Sequence, residues 1–263
     1  MIRWARAVLA IALVASVSSG CNSSQRAPSQ KVVVAAGSHM QRPFQKVGEQ
    51  FKAANPGVIV DFHFGFSPAF FSTVMLTDRR VDVLAMGDPS AMKQAEDAGL
   101  FDGAPVVFAS TMLTIAVAQG NPKSITSLQD LTRPDLKVAV CAKDLPYPDR
   151  NSLMRNLPCG TALEKVEQAA GVRLTNAITL SRSPGVVEKV LNGDVDAGVV
   201  YASDAAASSV TAVPIPEAAD AVINYSIAVL KGSRSPEAAH DFVDTVTGSG
   251  RAIFREDGFD TPG

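Results

Sequence analysis

Apolar positions along this chain follow two alternating spacings, one of two residues and one of about 3.6. Residues 31–36 are a nearly continuous apolar run, Val32 through Ala36, as expected of a strand covered on both faces. Residues 42–54 put Phe44, Val47 and Phe51 on one face of a helix, and Asn55-Pro56-Gly57 stops it. Val58, Val60, Phe62 and Phe64 then alternate with polar residues as a half-buried strand. The same reading predicts a helix over 69–76, a strand over 81–86 and a helix over 90–98 ended by Gly99. Residues 111–118 form a strongly apolar strand before the turn Gly120-Asn121-Pro122. Further strands are expected at 137–141, 177–180 and 197–201, with helices at 161–170 and 184–192 between them. A long strand over 221–230 follows, and Ser235-Pro236 opens a terminal helix with a serine cap and a proline in its first turn.

Strand and helix alternate almost throughout, which predicts an α/β architecture. The two long apolar strands near 112–118 and 225–230 are placed to cross between two lobes, the second inserted in the first. The expected division is 31–112 with 228–263 as lobe 1 and 113–227 as lobe 2. Residues 143–157 carry Pro146, Pro148, Arg150 and Asn151 without periodicity and read as a surface loop.

The N-terminal segment follows a different pattern. Arg3 and Arg6 precede a mostly apolar run over 7–17, and Val17-Ser18-Ser19-Gly20 leads into Cys21. That run is too short to span a bilayer comfortably. It resembles a bacterial lipoprotein signal over 1–20, with Cys21 as the lipidated first residue after cleavage; an ordinary secretory signal with a chance cysteine is the alternative. Residues 21–30, rich in Ser, Asn, Gln and Pro, are expected to be a flexible tether. The mature protein would hang from the outer face of the cell membrane.

About 240 residues remain, enough for two lobes of about a hundred each. With 24 Lys and Arg against 26 Asp and Glu, the chain is mildly acidic. No basic block points to nucleic acid. An acidic protein that binds an anion must do so through local dipoles. Beyond Cys21 only Cys141 and Cys159 remain. In an oxidising compartment they either form a disulfide or stay as two buried thiols. Metal ligation is not expected, because no histidine or CxxC lies nearby.

Two early strands each run into a helix through a serine with no lysine or arginine beside it: Gly37-Ser38 and Gly65-Phe66-Ser67-Pro68. A helix start presents unpaired N–H groups and partial positive charge, so a serine there can hold an oxyanion without a cationic side chain. Cys159, Ser183 and Tyr201 are further candidates, and together they suggest several neutral donors aimed at one small anion.

Five segments then carry a specific likeness. Val34-Ala35-Ala36-Gly37-Ser38, Phe62-His63-Phe64-Gly65-Phe66-Ser67, Val81-Asp82-Val83-Leu84-Ala85-Met86-Gly87-Asp88, Leu157-Pro158-Cys159-Gly160 and Gly193-Asp194-Val195-Asp196-Ala197-Gly198-Val199-Val200-Tyr201 stand in this order. Their order and spacing resemble the periplasmic molybdate-binding proteins, the substrate-binding components of molybdate ABC transporters. The resemblance implies a two-lobed, type II periplasmic-binding-protein fold with the ligand cleft between the lobes. It further implies binding of molybdate, and of tungstate, for delivery to an ABC permease with its ATPase, by a monomer that is not an enzyme and needs no cofactor. Residue by residue, Ser38 and Ser67 are expected to offer both N–H and hydroxyl, Cys159 and Ser183 a backbone N–H, and Tyr201 its hydroxyl. Phe66, Met86-Gly87 and the 143–157 loop depart from the family pattern.

Each residue also has a plainer reading. Ser38 and Ser67 taken singly are ordinary helix caps, Tyr201 a buried strand tyrosine, and Asp82, Asp88 and Asp196 turn and cap residues. His39 reads as a surface or helix-start histidine, able to tune affinity with pH if charged. Two rival functions remain: binding of another oxyanion such as sulfate, or a serine hydrolase. The second rests on Gly65-Phe66-Ser67-Pro68-Ala69, followed by Asp204 and His240. Against it, Ala69 stands where a nucleophile elbow has its second glycine, and His240 falls in a helix.

Overall fold

The structure is a computed structural model that describes residues 30–65, 81–144 and 157–262. The lipidation candidate Cys21, the expected helix over 69–76 and most of the 143–157 loop lie outside the described residues. Ser67 does too.

The chain opens with β1 (Gln30–Gly37), a single 3-10 turn (Ser38–Met40), α1 (Gln41–Ala54) and β2 (Val58–Gly65). β3 (Val83–Met86), α2 (Pro89–Asp97) and β4 (Val106–Thr111) follow. Together with β10 (Ile223–Val229) these strands build a five-stranded sheet in the order β2-β1-β3-β10-β4. β1 runs parallel to β2 and β3, while β10 is antiparallel to β3 and β4. Val32 through Ala36 are all buried, which is why that strand shows no alternation.

A second five-stranded sheet, ordered β7-β6-β8-β5-β9, is built from β5 (Leu113–Val117), β6 (Val138–Cys141), β7 (Ile178–Leu180), β8 (Ala197–Tyr201) and β9 (Thr211–Pro214). Its helices are α3 (Pro158–Ala170), α4 (Ser183–Leu191) and the short α5 (Ala202–Ala206). Two α/β sheets joined by two crossings give the two-lobed architecture that the alternation predicted.

The crossings differ in detail from the sequence reading. Residues 111–118 are not one strand: β4 ends at Thr111 in the first sheet, β5 begins at Leu113 in the second, and Met112 alone connects them. The long strand expected over 221–230 is a 3-10 helix (Pro216–Ala221) followed by β10. All of β10 pairs within the first sheet, so the chain returns before Ile223 rather than at 227–228. The first crossing is pinned from the second sheet. The Ala202 N–H donates to the Met112 carbonyl over 2.9 Å, and the Ser203 N–H reaches Thr111 Oγ1 at 3.4 Å.

Packing on the first sheet is aromatic. Phe44, Val47 and Phe51 of α1 are buried as their spacing predicts. Phe44 meets Phe254 edge-on at 5.4 Å, and Phe51 meets Phe242 in the same way at 5.3 Å. These contacts fasten α6 (Pro236–Thr247) and α7 (Arg251–Glu256), two helices where one was expected. Each aromatic pair contributes about 0.5–1.5 kcal/mol beyond its buried area. Ser235 is the N-cap residue of α6 with Pro236 in the first turn, as expected, but its side chain makes no capping bond.

The aspartates act as turn and cap residues. Asp82 accepts from the Val33 N–H, the Ser233 hydroxyl and the Arg234 N–H, which locks β1 to the chain after β10. Asp88 caps α2 through the N–H groups of Ser90 and Ala91, and Asp196 accepts from the Lys137 N–H. Cys141 and Cys159 are joined in a disulfide with Cα atoms 5.7 Å apart, so of the two states left open by the sequence the cross-linked one is found.

Candidate functional site

Four turns that follow strands or loops converge on one small cavity of about 20 Å³. Ser38 enters it from the first sheet, in the 3-10 turn after β1. Cys159 enters in the first turn of α3, Ser183 in the first turn of α4, and Tyr201 at the end of β8, where it is the N-cap of α5. Pro158 and Pro184 occupy the opening positions of α3 and α4, where a missing N–H leaves no bond unmade. The structure thus brings together four of the five residues proposed from the sequence. Ser67, the fifth, lies outside the described residues.

Local details refine the individual roles. Ser38 stands in a 3-10 turn that precedes α1, not in the helix itself, and Gly37 is its N-cap. Cys159 has no free thiol, so its backbone N–H is the donor it offers. Gly160 behind it packs so closely on the carbonyl of Ala142 that a Cβ would overlap that backbone. Close approach is therefore what the glycine supplies. The Ser183 hydroxyl is engaged inside the protein: it accepts from the Tyr201 N–H over 2.9 Å and is bonded to the Asp204 carboxylate.

The site is desolvated, and its titratable groups respond accordingly. Burial pushes the Tyr201 phenol far above its ordinary range, with the charges of Asp204 and Asp88 adding to the effect. Tyr201 therefore keeps its proton and is a donor at any physiological pH. Tyr225 is likewise pushed well up by burial, and its hydroxyl is buried without a hydrogen-bond partner. Asp204 is raised to about 6 by burial, against the lowering effect of its bond from Ser183, and its Oδ2 has no partner.

Two further residues of the cavity escaped the sequence reading, and a third was placed differently. Ser181 and Arg182 line it beside Ser183, although no arginine had been expected at the site. Their signal was adjacency to Ser183-Pro184, which is weak without the fold. His39, read from sequence as a surface or helix-start histidine, is in the cavity wall. Its ring centroid lies 6.0 Å from that of Tyr201 and 5.2 Å from that of Tyr225, and its Nε2 is buried with no partner. Burial lowers its pKa to about 4.

A larger cavity of about 690 Å³ lies between Gly87–Ser90 and the residues Pro158, Thr161, Lys165 and Asp220. Its lining mixes the acidic Asp88 and Asp220 with the basic Lys165. Among the described residues no group of three or more His, Cys, Asp or Glu side chains is placed to hold a metal ion. The hydrolase reading needs His240 beside Asp204 and Ser67; His240 is instead exposed and meets Asp102 at 3.2 Å.

Residues 32–260 match the family model described as bacterial extracellular solute-binding protein. The molybdate-binding protein ModA of Mycobacterium tuberculosis H37Rv is 40% identical over 262 residues, covering 97% of this chain and 95% of that protein. ModA of Mycobacterium bovis shows the same values. Among solved structures, the periplasmic molybdate-binding protein of Azotobacter vinelandii superposes with a TM-score of 0.68 at 16% identity, over 88% of this chain and all of that one. The sulfate-binding protein SubI from M. tuberculosis H37Rv gives 0.69 at 18% identity, over 88% and 87%. The two structures share the fold. The chain belongs to the bacterial extracellular solute-binding proteins and, within them, to the family of the molybdate-binding ModA relatives.

Proposed function

We propose that this protein captures molybdate, and tungstate as a second ligand, outside the cytoplasm and delivers it to an ABC permease driven by its ATPase. The observation that carries this reading is the meeting of Ser38, from the first sheet, with Cys159, Ser183 and Tyr201, from the second, in one cavity. A doubly charged tetrahedral oxyanion is strongly hydrated, so a site must replace its water with fixed donors. Each hydrogen bond to a charged acceptor contributes about 1.5–3 kcal/mol net. Donors from both sheets also make capture and lobe closure the same event, the usual way such a cleft is sealed. The 40% identity to molybdate-binding relatives supports molybdate as the anion.

Neutral donors further select against a protonated ligand, whose own O–H would face other donors. Phosphate keeps a proton at neutral pH and is expected to be rejected. The protein acts by binding, not by bond making. It needs no cofactor, because the metal arrives inside its ligand. Cys21, lipidated after removal of residues 1–20, would tether a monomer to the outer face of the cell membrane through 21–30.

Titration calorimetry with molybdate, tungstate, sulfate and phosphate tests the reading. Molybdate and tungstate are expected to bind tightly, sulfate more weakly and phosphate not at all. Tighter binding of sulfate than of molybdate would overturn it. Mass spectrometry of protein extracted from membranes tests the anchor, with a diacylglyceryl mass on Cys21 as the expected result.

A further inference from the structure

Among the described residues of the cavity wall, His39 is the one side chain whose ordinary titration range lies near neutral pH, and three observations bear on what it does. Its ring lines the cavity next to Ser38. Its Nε2 is buried and has no hydrogen-bond partner, a state that native proteins rarely leave unexplained. The ring is also held in place: Tyr201 and Tyr225 flank it, and it folds back over Gly37, where a Cβ would come within 2.6 Å of His39 Cε1. The turn is built so that the imidazole points inward.

We propose that His39 is a further ligand-recognition residue, and that the protein takes up one proton from solvent onto this imidazole as the dianion enters, with Nε2–H donating to a ligand oxygen. This rests on the oxyanion reading above. In the balance of the step, a neutral imidazole and a dianion become an imidazolium and the same dianion. The cavity contents thereby change from a charge of minus two to minus one.

The surroundings favour this coupling. From the end of β8, His39 faces Tyr201, which stays protonated and feels the charge of Asp204 in α5. From β10 it faces Tyr225, also protonated. The turn before α2 contributes Asp88, whose charge is felt at Tyr201. From α3 comes the uncharged disulfide of Cys159, and from the start of α4 comes Arg182, which is exposed to solvent. With no anion present, burial holds the imidazole neutral, down to about 4. A doubly negative guest against Nε2 supplies the missing counter-charge and raises it.

The chain has three histidines, His39, His63 and His240, so each ring can be followed by nitrogen-15 NMR. His63 and His240 are surface residues paired with Asp61 and Asp102. Saturating the intact protein with molybdate at pH 7 is expected to convert the His39 nitrogens from the neutral to the imidazolium pattern, leaving the other two unchanged. Calorimetry in buffers of different ionisation enthalpy should count close to one proton taken up, and affinity should weaken by up to about tenfold per pH unit between pH 7 and 8. His39→Gln, which keeps a neutral donor, should bind with no proton uptake and a flat pH profile over that range, while Asp204→Asn should still take up the proton. A His39 that stays neutral in the saturated wild type overturns the proposal, and so does proton uptake that survives in His39→Gln. If sulfate binds and molybdate does not, the molybdate assignment fails and the proton count is read with sulfate. Failure of molybdate, tungstate and sulfate alike to bind overturns both.

Discussion

The backbone N–H of Tyr201 donates to Ser183 Oγ over 2.9 Å, so two residues eighteen apart in sequence act as one unit at the cavity wall. The bond ties the end of β8 to the start of α4 and consumes the Ser183 hydroxyl, which also bonds Asp204. In the proposed site the Ser183 side chain therefore positions its neighbours, while the Tyr201 hydroxyl is the group that would donate to the anion. Replacing the two should separate these roles. Ser183→Ala leaves the buried Tyr201 N–H unpaired and is expected to cost about 1–3 kcal/mol of stability in denaturant unfolding. Tyr201→Phe should change stability little and weaken molybdate binding by about 1.5–3 kcal/mol, roughly ten- to a hundredfold by calorimetry. Equal effects of the two changes on both measurements would show that the division of labour is wrong.

The disulfide between Cys141 and Cys159 joins the end of β6 to the turn that carries a cavity donor. For a loop closed over 18 residues, the chain-entropy estimate gives about 3 kcal/mol of stabilisation. Reduction, or the double change Cys141→Ala with Cys159→Ala, is expected to lower the melting temperature and to weaken molybdate binding together. A melting temperature indifferent to reductant would leave the cross-link without a stabilising role.

Gly160 lies against the Ala142 carbonyl, closer than any side chain permits. Gly160→Ala should push the first turn of α3 away from the cavity and weaken molybdate binding at least tenfold. A crystal structure of the variant should show the displacement, and an unmoved turn with unchanged affinity would contradict the packing argument. Gly185, in α4 beside the same cavity, has open space around its Cβ position and serves as the control.

Two buried groups make opposite contributions to the pH dependence of stability. Asp204 is raised by burial from 3.8 to about 6. Its contribution is thus fully present below about pH 4 and is lost as pH rises through about 6. His39 is lowered by burial from 6.5 to about 4. It favours the unfolded chain at low pH, and its penalty disappears as pH rises from about 4 to about 6.5. Each amounts to about 3 kcal/mol at most, so the unliganded wild type should be nearly flat between pH 4 and 6.5. Asp204→Asn should make stability rise across that window, and His39→Gln should make it fall. Chemical denaturation at several pH values reads both slopes, and slopes of the same sign in the two variants would refute the assignment.

Much of the fold was legible because it is encoded locally. The spacing of Phe44, Val47 and Phe51 and the unbroken run over 32–36 reflect burial directly, since a helix face and a doubly covered strand each impose a period on their own residues. The break at Met112 was not legible: an apolar run looks the same whether it stays in one sheet or passes into another. Ser38, Cys159, Ser183 and Tyr201 could be picked out because strand-to-helix turns carry a signature of small residues, prolines and hydroxyls. Arg182 and His39 carry no such signature.

The sequence alone determined the α/β class, most of the strands and helices, and the turns proposed to hold neutral donors, because each depends on neighbours a few residues away. Only the tertiary structure decided which of those turns face a common cavity, that Cys141 and Cys159 are joined, and that the His39 ring turns inward between Tyr201 and Tyr225. These outcomes depend on how two sheets pack and where the chain crosses between them, and no local periodicity records the distance between residues brought together from opposite ends of the chain.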